Sequence, residues 1–148
     1  MKAVKIVAII ASIIGLVSCK TEFTSPDGRL KASVEGQDIL VKYQGAAVFQ
    51  QIHVGLVTED ADLNSDLVLK KVFGKNKVTD DYGMVSGKRS RCHNEAIEWT
   101  YKYMNPAGDL MDVILRLYND GIALRYVLPD GTVVTDDCTA YSIPDGVG

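Results

Sequence analysis

Every proline in this 148-residue sequence stands two residues before a glycine. Proline fixes φ at the second position of a tight turn, and glycine tolerates the positive φ that follows it. Each tripeptide therefore predicts a turn that separates two extended segments. The four predicted turns are Pro26-Asp27-Gly28, Pro106-Ala107-Gly108, Pro129-Asp130-Gly131 and Pro144-Asp145-Gly146.

Between these turns, apolar side chains recur at every second residue, which is typical of half-buried strands. The clearest examples are residues 97–103, 111–117 and 122–128, and shorter candidates lie at 39–43 and 53–57. The stretch from Glu59 to Asn76 is least regular, and we predict a loop there with one strand at Leu67 to Val72. We find no helical stripe, so seven or more short strands predict an all-β fold, an antiparallel β-sandwich.

The N-terminal segment has a different character. Lys2 and Lys5 precede an apolar or small run from Ile6 to Val17, the order of a secretory leader. The run is too short to span a bilayer. It ends in Leu16-Val17-Ser18-Cys19, which resembles a bacterial lipobox. An uncleaved anchor, or a plain signal peptide cleaved elsewhere, is the alternative.

We therefore predict a lipoprotein signal peptide at residues 1–18, a lipidated Cys19, a short linker at 19–24 and a sandwich domain at 25–148. Several acyl chains on Cys19 would hold the protein firmly on a membrane. The predicted location is periplasmic or outer-membrane. The net charge of −3 becomes more negative without the leader lysines, which argues against a nucleic-acid partner.

Two further cysteines, Cys92 and Cys138, would lie in an oxidising compartment. They form either one disulfide or two separate buried thiols, because the sequence does not show whether their Cα atoms approach closely enough.

No motif assembles a catalytic or metal site. Residues 60–66 alternate oxygen ligands as a calcium loop does, but Ser65 stands where glycine is needed and Lys71 where a glutamate should be. The tetrapeptide Cys92-His93-Asn94-Glu95 places possible metal ligands side by side, but no Cys-x-x-Cys motif or second nearby histidine completes a metal site. His53 lies in an apolar run and fits a half-buried strand residue. We therefore assign no catalytic residue and no metal ligand.

Other polar groups also have structural explanations. Ser86 misses the nucleophile-elbow spacing, and a basic cluster at Lys88, Arg89, Arg91 and His93 suits either an anion or a solvated strand edge. The carboxylates Glu95, Glu98, Asp112 and Asp120 could supply a glycosidase pair, but nothing in the sequence pairs any two of them. Asn119-Asp120-Gly121 predicts a tight hairpin turn, with Gly121 at positive φ.

Several segments in order resemble the N-terminal domain of glycoside hydrolase family 97. They are Ser25-Pro26-Asp27-Gly28-Arg29-Leu30, Tyr82 with Ser86-Gly87-Lys88-Arg89-Ser90 and Asn94-Glu95, the run from Arg116 to Tyr126, and Tyr141-Ser142-Ile143-Pro144. The resemblance covers most of residues 23–146. It implies a β-super-sandwich of the galactose-mutarotase-like type.

The resemblance also implies an exported enzyme of Bacteroidetes-type bacteria that hydrolyses α-glucosidic or α-galactosidic bonds in glycans. Family members join the sandwich to a catalytic (β/α)₈ barrel and use calcium near the active site. A barrel alone needs ~250 residues, so we expect it, and the catalytic carboxylates, to be missing from this chain and the sandwich to be incomplete. The alternative is a stand-alone lipoprotein that binds glycans or a protein partner.

Overall fold

The computed structural model describes residues 21–83 and 91–146, and these residues form strands, turns and loops without a helix. The strands are β1 (Thr21–Thr24), β2 (Leu30–Glu35), β3 (Asp38–Tyr43), β4 (Ala46–His53), β5 (Leu56–Thr58), β6 (Asp62–Leu63), β7 (Val68–Gly83), β8 (Arg91–Met104), β9 (Leu110–Tyr118), β10 (Ile122–Val127), β11 (Val134–Asp137) and β12 (Ala140–Ser142). None of the described residues forms a helix that could cross a membrane.

The strands form three sheets. The first has the order β1-β2-β3-β4-β12, the second β10-β9-β8-β7, and the third β11-β5-β6. Every pairing is antiparallel. The predicted all-β, antiparallel β-sandwich is therefore confirmed.

The core lies between the first two sheets and is built from the alternating positions. Adjacent strands of the second sheet contribute Tyr101, Tyr103, Met111, Val113, Leu115 and Leu117, each at most 1% exposed. Phe23 of β1 packs its ring against Tyr101 at 5.5 Å between centroids. Because alternate side chains of a strand point to opposite faces, the period-two pattern fixes which residues are buried.

Hydrogen bonds of one side chain, Gln37, join the third sheet to the first. The side chain of Gln37 donates to the carbonyl oxygens of Val54 (3.1 Å) and Asn64 (2.7 Å), and its carbonyl accepts from the Leu67 amide (3.2 Å). These bonds satisfy backbone groups that the short strands leave unpaired, so one side chain holds three loops together.

Strands β7 and β8 continue beyond the sandwich. Their pairing runs from Val68–Met104 to Gly83–Arg91, whereas β9 pairs with β8 only as far as Ala96. Residues 79–83 and 91–95 therefore form a two-stranded extension, which we call the arm.

The strand assignment needs two corrections. The Glu59–Asn76 region is not a loop with one strand at Leu67 to Val72, because it contains β6 and the start of the sixteen-residue β7. Residues 53–57 are not one strand either, because β4 ends at His53 and β5 begins at Leu56. The alternation in β7 is weak since most of its side chains are exposed, and only pairing with β8 keeps it extended.

The turn glycines behave as predicted. Gly28, Gly108, Gly131 and Gly146 all have positive φ, between 75° and 98°. Gly121 does not, so the expectation of positive φ there was wrong. The hairpin at that point is closed by the Tyr118 amide, which donates to the Gly121 carbonyl at 2.8 Å.

Cys92 and Cys138 are both free thiols of intermediate exposure. The disulfide alternative is therefore not realised in this structure. Cys92 lies in the arm, and the Cys138 amide donates to the Gly55 carbonyl at 3.1 Å.

Candidate binding cleft

A cleft of about 790 Å³ opens between the first two sheets at one end of the sandwich. Residues 29–30, parts of β3 and β4, residues 93–95 of β8 and the hairpin residues 118–122 line it. Ligand sites in proteins commonly enclose about 300–1,000 Å³, so its volume suits a small molecule.

The wall from the first sheet is organised by Asp27. Its carboxylate accepts from the Ser25 hydroxyl (2.6 Å), the Arg29 amide (3.0 Å) and the Arg29 Nε (2.6 Å). These bonds favour the ionised form and lower the pKa of Asp27 to about 2, with the Ser25 hydroxyl as the largest cause. Arg29 also donates to the Tyr43 hydroxyl at 3.4 Å. The guanidinium is thus fixed at the edge of the cleft.

The hairpin of β9 and β10 is tied to this wall. The Asn119 side-chain oxygen accepts from the Asp27 amide at 3.0 Å, across 92 positions of sequence. The Asn119-Asp120-Gly121 turn therefore does more than reverse the chain, because it links the two sheets at the mouth of the cleft. The sequence predicted the turn and missed this contact.

The opposite wall comes from the arm. Glu95 pairs with Lys77 at 2.7 Å, and His93 Nδ1 lies 2.6 Å from Asp81. Lys77 is the main cause that lowers the pKa of Glu95. Arg91 and His93, the two described members of the basic cluster, are both exposed on the arm; Lys88 and Arg89 lie outside the described residues, as do Cys19 and Ser86.

The four candidate carboxylates separate into two groups. Glu98 is bonded to Arg116 at 2.6 Å and Asp112 to Lys102 at 2.6 Å, on the face of the second sheet that points away from the core. Glu95 lies on the other face of β8, three positions away, and shares the cleft with Asp120. Of the four, only Glu95 and Asp120 are therefore brought together.

The remaining polar candidates have local partners. Asp62 in the acidic loop accepts from the Asn64 amide (2.8 Å) and the Ser65 amide (3.2 Å), which lowers its pKa. His53 Nδ1 lies 2.8 Å from Asp38. Among residues 21–83 and 91–146, no three His, Cys, Asp or Glu side chains are grouped closely enough to hold a metal ion.

Sequence reasoning did not single out Tyr43 or Phe49 as site residues, although both line the cleft and are half-buried. The segment containing Asp27 and Arg29 was marked only as a turn and as part of the family resemblance. The available signal was an aromatic residue on either side of the β3–β4 hairpin, which sequence alone does not distinguish from ordinary core residues.

Residues 23–147 match the family described as Glycosyl-hydrolase 97 N-terminal. The chain therefore belongs to the N-terminal domain family of glycoside hydrolase family 97, as the resemblance predicted.

Three relatives illustrate the match. A probable retaining alpha-galactosidase of Streptomyces bingchenggensis (strain BCW-1) is 29% identical over 133 residues, which is 86% of this chain and 20% of that protein. A crystal structure of a beta-arabinopyranosidase superposes with a TM-score of 0.76 at 25% identity, covering 84% of this chain and 21% of that one.

A family 97 enzyme from Pseudoalteromonas sp. strain K8, solved with acarbose, has a TM-score of 0.72 at 17% identity, over 84% of this chain and 20% of that one. At that identity the likeness shows the fold alone. The chain spans about one fifth of the length of each of these relatives.

Proposed function

We propose that this chain is the non-catalytic N-terminal sandwich portion of an exported family 97 glycoside hydrolase, whose full-length form hydrolyses α-glucosidic or α-galactosidic bonds during glycan breakdown. The observation that carries the proposal is the family match over residues 23–147, nearly the whole of the described structure. The matched segment corresponds to about a fifth of each much longer glycosidase relative.

The substrate class is supported by the names of the relatives. One is a probable retaining alpha-galactosidase, one a beta-arabinopyranosidase, and the Pseudoalteromonas enzyme was also solved with panose. The α-linkage rests on the name of the alpha-galactosidase.

The catalytic step is assigned to a (β/α)₈ barrel beyond this domain. Two of the four candidate carboxylates, Glu98 and Asp112, are held in ion pairs on the outer face of the second sheet. Among residues 21–83 and 91–146, no three His, Cys, Asp or Glu side chains are grouped to hold a metal ion, so we assign none of them to the calcium expected for full-length members. We therefore derive no step through that metal.

We also propose that the protein is a periplasmic or outer-membrane lipoprotein, acylated at Cys19. The leader pattern supports this assignment, and the family match begins at residue 23, just after the proposed cleavage site. Labelling cells with radioactive palmitate should mark the wild-type protein in the membrane fraction. Label retained by a Cys19→Ala variant would contradict acylation at this residue.

A hydrolysis assay tests the non-catalytic role. The purified chain, shown to be folded by circular dichroism, should not cleave aryl α-glucoside or aryl α-galactoside with calcium present. Turnover by a folded, uncontaminated sample would show that this chain carries a catalytic centre, with Glu95 and Asp120 as the first residues to mutate.

The coding sequence downstream of codon 148 tests the parent enzyme. An alternating strand and helix pattern in frame, or after one frameshift, is expected if a catalytic barrel belongs to this gene. A stop codon followed by unrelated genes would instead favour the alternative, a stand-alone lipoprotein that binds glycans or a protein partner.

A further inference from the structure

The cleft combines flat apolar surface with polar groups. Tyr43 and Phe49 line it with half-buried aromatic side chains, and Ile122 adds an aliphatic side chain from the second sheet; all three also pack against the core. Aromatic side chains offer rigid, amphipathic contact area. Sugar rings have apolar C–H faces that such surfaces can cover, while the hydroxyl groups around each ring need polar partners.

Polar partners are present on both walls and are already positioned. The Arg29 Nε donates to the Asp27 carboxylate at 2.6 Å, and its Nη1 donates to the Tyr43 hydroxyl at 3.4 Å. Glu95 on the other wall is held by Lys77 at 2.7 Å. Binding groups that are oriented before the ligand arrives lose less conformational entropy on binding.

The charges around the cleft favour a neutral ligand. Arg29 provides donors and positive charge, and Glu95 and Asp120 provide negative charge. An anionic ligand would meet two carboxylates, and a cationic one would meet the guanidinium. Hydroxyl groups donate and accept, so they can use both kinds of side chain.

We propose that this cleft is a binding site for a neutral oligosaccharide, in which Tyr43 and Phe49 pack against pyranose rings and Arg29, Glu95 and Asn119 bond their hydroxyl groups. This site is formed entirely by residues of the two sheets of the sandwich. The choice of an α-linked glycan as ligand rests on the proposed function.

Titration of the ¹⁵N-labelled chain with panose, followed by amide chemical shifts, tests the site. We expect saturable shifts confined to residues that line the cleft, including Tyr43, Phe49 and Asn119. Absence of such shifts would overturn the proposal. Shifts that follow protein concentration instead of panose would identify a second copy of the chain as the occupant, which would also overturn it.

Two matched phenylalanine variants locate the contact. Phe49→Ala should weaken panose binding roughly three- to tenfold. Phe73→Ala removes an aromatic ring that is 41% exposed and lies outside the cleft, and it should leave binding unchanged. Thermal melts verify that both variants are folded. Equal weakening by the two variants would overturn the assignment.

The Arg29→Met variant keeps much of the side-chain length and removes the charge and donors, so it should also weaken binding. Wild-type affinity in this variant would exclude Arg29 from the site. The downstream coding sequence does not depend on this cleft. The parent-enzyme proposal and the cleft proposal can therefore fail independently.

Discussion

Strands β7 and β8 run through two different environments. Where they lie under the first sheet, Tyr101 and Tyr103 are 1% exposed. Where they extend as the arm, the side chains of His93 and Asp81 are 61% and 71% exposed. The antiparallel pairing continues through both parts, from Val68–Met104 to Gly83–Arg91.

The difference shows that backbone pairing alone does not determine burial. Within the sandwich, the odd-numbered β8 residues Trp99, Tyr101 and Tyr103 face the core. The same odd positions carry Glu95 and His93 in the arm. Apolar burial contributes about 25 cal/mol per Å², whereas exposed ion pairs contribute at most about 1 kcal/mol. Stability should therefore be concentrated in the sandwich part of the same two strands.

The largest effect is expected in the sandwich. Leu115→Ala removes a side chain that is 0% exposed and should lower the free energy of unfolding by about 3 kcal/mol. Ile114→Ala, on the opposite face of β9, should cost about 1 kcal/mol or less because its side chain is only half-buried. Urea denaturation of both variants measures the difference. Equal losses would contradict the inward and outward assignment of β9.

The second-largest effect on stability is expected at Gly74, where the pairing of β7 with β8 is irregular. Gly74 has a φ of 118°, and a Cβ placed there would lie 2.9 Å from the Glu98 carbonyl oxygen. Gly74→Val should therefore cost about 2 kcal/mol or more. Gly121→Val meets no atom within 4 Å and needs no positive φ, so it should change stability by about 0.5 kcal/mol or less. A larger loss at Gly121 in thermal melts would refute this ranking.

Alkaline pH should weaken the sandwich specifically. Burial raises the pKa of Tyr101 and of Tyr103 above the ordinary value near 10. The unfolded chain then ionises these tyrosines above pH 10 while the folded chain keeps them neutral, so stability is complete below pH 10 and falls above it. The slope should be about 1.4 kcal/mol per pH unit for each tyrosine. Urea denaturation at several pH values measures the slope, and Tyr101→Phe should make it shallower.

At neutral pH the same two tyrosines should respond in opposite ways. The Tyr103 hydroxyl donates to the Gly36 carbonyl at 2.8 Å, so Tyr103→Phe should cost about 1 kcal/mol. The Tyr101 hydroxyl is buried without a hydrogen-bond partner in the described structure, so Tyr101→Phe should preserve or increase stability. Denaturation curves of the two variants decide the point. A loss in Tyr101→Phe equal to that in Tyr103→Phe would reveal a bond that Tyr101 makes elsewhere.

The smallest effect is expected in the arm. Glu95→Gln removes the pair with Lys77, whose side chain is 59% exposed, and should change the free energy of unfolding by at most about 0.5 kcal/mol. Thermal melts at low and high salt measure this, since salt screens exposed charges. A loss above about 1 kcal/mol would show that the arm contributes to stability as the sandwich does.

The sequence predicted the regular parts of the fold because burial on one face imposes a visible period. Residues 97–103 and 111–117 lie in strands as predicted, and so do residues 122–128 except Leu128, which follows the end of β10. Strand β7 was largely missed because its inward positions face solvent along much of its length, and exposure removes the apolar alternation. Gly121 was misjudged because the Asn-Asp-Gly tripeptide suits several turn geometries, and only the closed hairpin selects one.

The candidate site was less accessible to sequence reasoning. Asp27 and Asn119 are 92 positions apart, and their hydrogen bond requires both sheets to be folded. Arg29 and Glu95 reach the same cleft from different sheets for the same reason. Glu95 and Glu98 are close in sequence but lie on opposite faces of β8. Their closeness along the chain therefore did not show which carboxylates share a site.

By itself, the amino-acid sequence determined the strand periodicity, the four proline-glycine turns and the family, because these depend on local backbone geometry and on the order of short motifs. Only the tertiary structure decided that both cysteines are free, that the arm extends beyond the core and that a polar-rimmed cleft forms between the sheets. Those features depend on distances between segments far apart in sequence, and such distances are set only when the two sheets pack together.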